Sequence, residues 1–139
     1  MMLSPHFSLE ELTATQHREI DNAPPPEVVQ QLKRTAQGLE EIRLLLGVPV
    51  IVSSGYRCPA LNKAVGGQPN SQHMTGQAAD FIAPAFGSPR TVASRIADAS
   101  LAIDQCIVEF DRWVHVSFSD SPRRQFLIID STGTRPMFT

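Results

Sequence analysis

The chain has 139 residues, of which 42% are hydrophobic and 19% charged, the composition of a globular protein and not of a disordered one. Twelve Lys and Arg against fourteen Asp and Glu give a net charge of −2, which leaves no electrostatic footprint for nucleic acid or an anionic membrane. The length fits one domain, 1–139, large enough to bury roughly two thirds of its unfolded surface. The longest apolar stretch, around Leu44 to Val52, is too short to cross a bilayer. No secretory signal is visible, because Glu10 and Glu11 stand where an apolar segment is needed. A monomer made in the cytoplasm is the expectation.

The first helix signal lies at 7–14, where Ser8 and Glu11 form an S-x-x-E capping box with Phe7 and Leu12 at the staple positions. Asn22-Ala23-Pro24-Pro25-Pro26 then breaks the chain and leads into a second helix. From Glu27 to Leu46, the residues Val28, Val29, Leu32, Ala36, Leu39, Ile42 and Leu46 trace an apolar stripe of helical period. Gly47 is its expected C-cap. Val48 to Ser54 reads as a buried strand. Residues 55–76 hold four of the eight glycines and read as one long loop with a short helix near Pro59–Ala64. A loop of that length in a compact domain is usually functional. Gln77 to Ile82 reads as a strand, and Ser88-Pro89 starts a helix running to about Ser100. Ile103 to Glu109 and Trp113 to Phe118 are strands around Phe110-Asp111-Arg112, and Phe126 to Ile129 is the last strand. Helices come first and strands cluster later, which predicts an α+β fold with a largely antiparallel sheet.

Four histidines are present, and His6 and His17 read as exposed surface residues in a polar segment. His73 stands in the loop Ser71-Gln72-His73-Met74-Thr75-Gly76. Seven residues later Asp80 interrupts the apolar strand Ala78-Ala79-Asp80-Phe81-Ile82. A carboxylate there needs a partner, either a metal or an arginine. His115 lies in Trp113-Val114-His115-Val116, with both valines pointing to the opposite face. Taken alone, a strand histidine is more often a core residue than a ligand. Together, His73, Asp80 and His115 make a zinc-type set of N and O donors that leaves a fourth position open for water.

Two further patterns bear on chemistry. From Ile42 to Ala79 no acidic residue occurs, while Arg43, Arg57 and Lys63 do. Such a window suits an anionic or carboxylate-bearing substrate, chance being the alternative. If Asp111-Arg112 form a hairpin tip, Phe110 pairs with Trp113 and Glu109 with Val114, which brings Glu109 beside His115. Without a metal, Glu109 and Asp111 are merely hairpin charges. Cys58 and Cys106 match no zinc knuckle and no redox motif, and read as free thiols unless the fold pairs them.

The pattern Ser71-x-His73-x-x-Gly76-x-Ala78-x-Asp80, followed by Trp113-x-His115, resembles the zinc D-Ala-D-Ala carboxypeptidase family. That family shares its fold with the hedgehog signalling domain and the vancomycin-resistance D,D-dipeptidases. Ser54-Gly55-Tyr56-Arg57 and the opening Phe7-Ser8-Leu9-Glu10-Glu11-Leu12 also match, the latter in phage and bacterial members. The resemblance spans roughly residues 7–118. It implies a hedgehog/D,D-peptidase-like fold and one Zn2+ ion held by His73, Asp80 and His115. It implies Arg57 on the substrate carbonyl and a carboxylate base near the third ligand. The dipeptidases place a Glu three residues before the last histidine, where this chain has Arg112. The hedgehog-like arrangement places it six residues before, where this chain has Glu109. Glu109 is therefore the expected base, with Asp111 second.

Ser71, Tyr56 and Trp113 are the expected substrate contacts. Ser71 could equally orient its own loop, and Trp113 could equally pack the core. The implied substrate is a peptidoglycan stem peptide containing D-amino acids, cut by carboxypeptidase or endopeptidase action. A phage enzyme released to act on the cell wall and a cytoplasmic enzyme recycling wall fragments both fit. The alternative is a non-catalytic zinc-binding recognition module on the same fold.

Overall fold

Prolines and glycines set most of the helix boundaries in the computed structural model, which describes residues 1–138. The elements in chain order are α1 (Leu9–Thr13), α2 (Pro26–Leu46), β1 (Ile51–Ser54), α3 (Pro59–Ala64), a 3₁₀ turn (Gln72–Thr75) and β2 (Ala78–Ile82). They continue as α4 (Pro89–Ala97), β3 (Gln105–Glu109), β4 (Trp113–Ser117), β5 (Gln125–Asp130) and β6 (Gly133–Pro136). The capping box of α1 is formed: the Glu11 amide donates to Ser8 Oγ, and the Ser8 amide donates to Glu11 Oε1. Proline occupies the first turn of α2, α3 and α4, where a missing N–H costs nothing. Gly47 ends α2 in the left-handed region at φ 69°, and its amide closes on the Arg43 carbonyl.

The six strands run in the order β1-β2-β4-β3-β5-β6. Every neighbouring pair is antiparallel except β3 with β5, which is parallel. Strand alternation gives the sheet two chemically different faces. Ala79, Phe81, Cys106, Val108, Val114, Val116 and Ile128 join one core with Leu32, Ala36, Leu39 and Ile42 of α2 and with Val92, Ala93 and Ile96 of α4. Asp80, Glu109, Trp113 and His115 lie on the other face. Truncating a fully buried residue of that core, such as Leu39, costs about 2–5 kcal/mol.

Several expectations change once distant segments pair. The strand expected to be buried over Val48–Ser54 begins only at Ile51 and is a sheet edge, with Ile51 exposed. Pro49, which lacks a ladder donor, stands before it. Within residues 55–76 the expected short helix forms as α3, and the 3₁₀ turn is an addition to the expected loop. Helix α4 stops at Ala97, three residues short of the expected end. Strand β6 was not expected at all. Its Gly-Thr-Arg-Pro sequence carries no apolar alternation, and its four residues are all exposed.

The β3–β4 hairpin register also differs from the expected one. Glu109 pairs with Trp113 and Val108 with Val114, so Phe110-Asp111-Arg112 form a three-residue loop. Phe110 and Asp111 adopt φ values of 55° and 50°, each costing on the order of 1 kcal/mol. The Phe110 amide donating to the Ile129 carbonyl, and that of Arg112 to Glu109, hold the loop. A one-residue change of register moves side chains to the other face. Pairing with Val114 would have turned Glu109 toward the core; pairing with Trp113 keeps it on the face of His115. Both cysteines are free thiols. Burial pushes the Cys106 thiol up to about 12, so it is inert in the folded protein.

Candidate metal centre

The β2–β4 pairing sets Asp80 directly opposite His115. His73 reaches the same point from the 3₁₀ turn. Ser71 starts that turn by accepting the His73 amide on its Oγ at 3.1 Å. Gly76 ends it at φ 80°, where a Cβ would lie 3.1 Å from Val28 Cγ1. A side chain there would be strained in conformation and crowded in space.

His73 Nδ1 donates to the Gly55 carbonyl at 2.7 Å, which turns its Nε2 toward Asp80 Oδ1 at 3.3 Å. His115 Nδ1 faces that same oxygen at 3.1 Å. The other oxygen, Asp80 Oδ2, accepts from Arg57 Nη2 at 3.4 Å. All three residues are buried, and their donor atoms lie within 4.8 Å of one another. Two imidazole nitrogens and one carboxylate oxygen suit a zinc-type ion, and not calcium or magnesium, which take oxygen donors. The residues therefore fit a divalent transition-type metal, and the hydrogen bond to Gly55 supplies the fixed tautomer that such a ligand needs.

The charges follow from burial and neighbours. Burial opposes ionisation of Asp80, but hydrogen bonds with His115 and His73 outweigh it and hold the carboxyl below the usual range. Glu109 behaves oppositely: burial, then the nearby Asp80 charge, push its carboxyl above the usual range. Glu109 Oε1 lies 3.8 Å from His115 Nδ1. Asp111 is exposed at the loop and accepts the Arg90 amide at 3.3 Å.

A cleft of about 370 Å³, lined by Gln16, His17, Ser54, Arg57, Asp80 and Trp113, meets this centre at Asp80. Of the three cations in the acid-free window, Arg57 alone lines it. No acid is near Arg57 in sequence, but the fold brings Asp80 to it, so the arginine partner considered for Asp80 is present beside the histidines. Ser54 Oγ and Asn62 Oδ1 accept its remaining guanidinium bonds, each at 3.3 Å. Trp113 lines the cleft, and its indole Nε1 is buried with no hydrogen-bond partner among the described residues. Tyr56 does not reach the cleft; it is 5% exposed and packs in the core. Ser71 is bound to its own turn through the His73 amide. His17 was read as plain exposed surface but is half-buried and lines the cleft. His6 is tied to Glu40 at 2.7 Å, away from the centre.

Sequence reasoning missed the polar residues that support the site. Asn22 is buried and joins three segments: its amide donates to the Thr13 and Tyr56 carbonyls, and its Oδ1 accepts the Cys58 amide. Asp104 is 2% exposed and accepts from Arg123 and Gln72. The signal that flagged Asp80, a carboxylate next to an apolar run, was also present in Ile103-Asp104-Gln105-Cys106-Ile107.

Comparison with known proteins agrees with this geometry. No curated protein matches the chain. A family model described as peptidase M15 matches residues 5–117, which takes in α1 through β4 and every residue of the centre. With well over half of the chain matched, and a His73, Asp80 and His115 cluster that could hold the metal such peptidases depend on, the chain belongs to the peptidase M15 family.

Proposed function

We propose that this chain is a zinc metallopeptidase that hydrolyses peptide bonds in peptidoglycan stem peptides. The observation that carries the reading is the placement of Glu109 and Arg57 on either side of the buried histidine–aspartate set. Glu109 lies against His115, and Arg57 against Asp80. When bound by His73, Asp80 and His115, zinc would supply Lewis-acid polarisation and a more acidic water. Glu109 takes the proton of the attacking water and returns it to the leaving amine. Its raised proton affinity suits a base that must also act as an acid. Arg57 stands where the carbonyl oxygen becomes negative, already oriented by Ser54 and Asn62. The buried Trp113 indole N–H lies beside Glu109 and favours the charged form of that carboxylate, against the burial that disfavours it. The substrate class rests on the resemblance of the Ser71–Asp80 and Trp113–His115 motifs.

Digestion of purified peptidoglycan by the metal-loaded protein, with the released fragments weighed by mass spectrometry, tests the proposal. Fragments shortened at a stem-peptide bond are expected, and their masses separate removal of a terminal residue from internal cleavage. Unchanged peptidoglycan together with retained peptide binding would instead make the chain a recognition module. Arg57→Ala is expected to cost about 2–4 kcal/mol of transition-state stabilisation, the effect of a lost oxyanion donor. Arg57→Lys should recover only part, because an ammonium cannot reproduce the planar fork held by three acceptors. Steady-state kinetics on a wall-fragment substrate check both; unaltered kcat/KM in Arg57→Ala would remove the role.

A further inference from the structure

The Asp104 carboxylate is the most heavily bonded buried charge outside the metal centre. Its Oδ1 accepts from the Arg123 amide at 3.0 Å and from Arg123 Nε at 2.9 Å. Its Oδ2 accepts from Arg123 Nη2 at 2.8 Å and from Gln72 Nε2 at 2.9 Å. The Asp104 backbone is tied as well, donating to the Ser117 carbonyl and accepting from the Gln125 amide. The carboxylate therefore sits at a junction of β4, β5 and the turn that carries His73. Charge-assisted bonds of this kind are short and directional, so the junction is rigid.

Gln72 is the first residue of that turn, directly before His73. Its side-chain Oε1 is buried without a partner, so the bond from Nε2 to Asp104 is its one polar anchor among the described residues. Its carbonyl accepts from the Gln77 amide at 3.0 Å and from Thr75 Oγ1 at 3.0 Å. Those bonds shape the turn and lead into β2, which carries Asp80. Arg123 lies beyond residue 117, where the match to the peptidase M15 family ends. A segment outside the matched portion thus reaches the support of the centre.

We propose that Asp104 and Arg123 are positioning residues for the metal centre, acting through Gln72 on the turn that presents His73. The proposal rests on the reading of His73, Asp80 and His115 as a zinc site. Outer partners that orient ligands typically change metal affinity by 10–100-fold when removed. Arg123 is half-exposed, and Gln72 contributes one bond. Removal of Gln72 should therefore act on the turn more than on the core.

The test compares zinc affinity, by competition with a chromophoric chelator, with the thermal melting of the metal-free protein. The variants are Arg123→Ala, Arg123→Lys and Gln72→Ala. Gln72→Ala leaves the Asp104–Arg123 pair intact, so it breaks the link without stranding a buried charge. Gln72→Ala should weaken zinc binding about tenfold while its metal-free melting stays near wild type. Arg123→Ala strands the buried Asp104 carboxylate, and should weaken zinc binding and lower metal-free melting together. Arg123→Lys should recover part of the affinity. Wild-type affinity in a folded Gln72→Ala protein would overturn the proposal. So would a loss of affinity in Gln72→Ala matched by an equal loss of its metal-free stability, which would make the junction merely structural. If the wild type itself binds no zinc, the zinc reading fails and takes this proposal with it, an outcome distinct from the other two.

Discussion

Glu109→Gln is expected to keep fold and metal while losing on the order of a hundredfold or more in kcat. The amide has the shape of the acid but can neither take a proton from water nor return one to the leaving amine. Glu109 is placed for both, half-buried on the site face with Oε1 3.8 Å from His115 Nδ1. Burial and the Asp80 charge make it a stronger proton acceptor than a surface carboxylate. Asp111 provides the contrast. It is exposed, and its Oδ1 accepts the Arg90 amide in the first turn of α4. Asp111→Asn should therefore change kcat by a small factor and cost about 0.3–1 kcal/mol of stability at that helix terminus. Zinc content and kcat measured in both variants decide between them. An active Glu109→Gln protein removes Glu109 as the base, and an inactive Asp111→Asn protein moves the role to Asp111.

His115→Ala should abolish metal binding and, with it, peptidase activity. His115 is 8% exposed and shares Asp80 Oδ1 with His73, so its loss leaves two donors where zinc sites use three or four. It also leaves the buried Asp80 and the half-buried Glu109 as neighbouring acids with one imidazole fewer between them. Metal analysis of the purified proteins is the measurement. About one zinc per wild-type chain and close to none in the variant are expected. Chelation of the wild type should remove activity, and added zinc should restore it. Full zinc occupancy in His115→Ala would sink the assignment of the centre.

The features already legible in the residues are those whose causes are local. The Ser8–Glu11 capping box closes within four residues, and the stripe from Val28 to Leu46 needs only helical periodicity to be recognised. The α+β class and the odd position of Asp80 in an apolar strand are of the same kind, as is the histidine pair flanking it in sequence. The tertiary structure decided what depends on segments far apart. The convergence of His73, Asp80 and His115 to within 4.8 Å needs the β2–β4 register and the turn docked on Gly55. Glu109 faces His115 because Phe110 and Asp111 accept left-handed conformations that no glycine or asparagine announces. Tyr56 lies inside the core although its motif pointed to the substrate, and β1 is an edge although an apolar run leads into it. The Asp104 junction joins three segments through four hydrogen bonds to one carboxylate. Residue type limits which hydrogen bonds a side chain can make, but only the paired sheet brings their partners within 3 Å, and that pairing is a property of the whole chain.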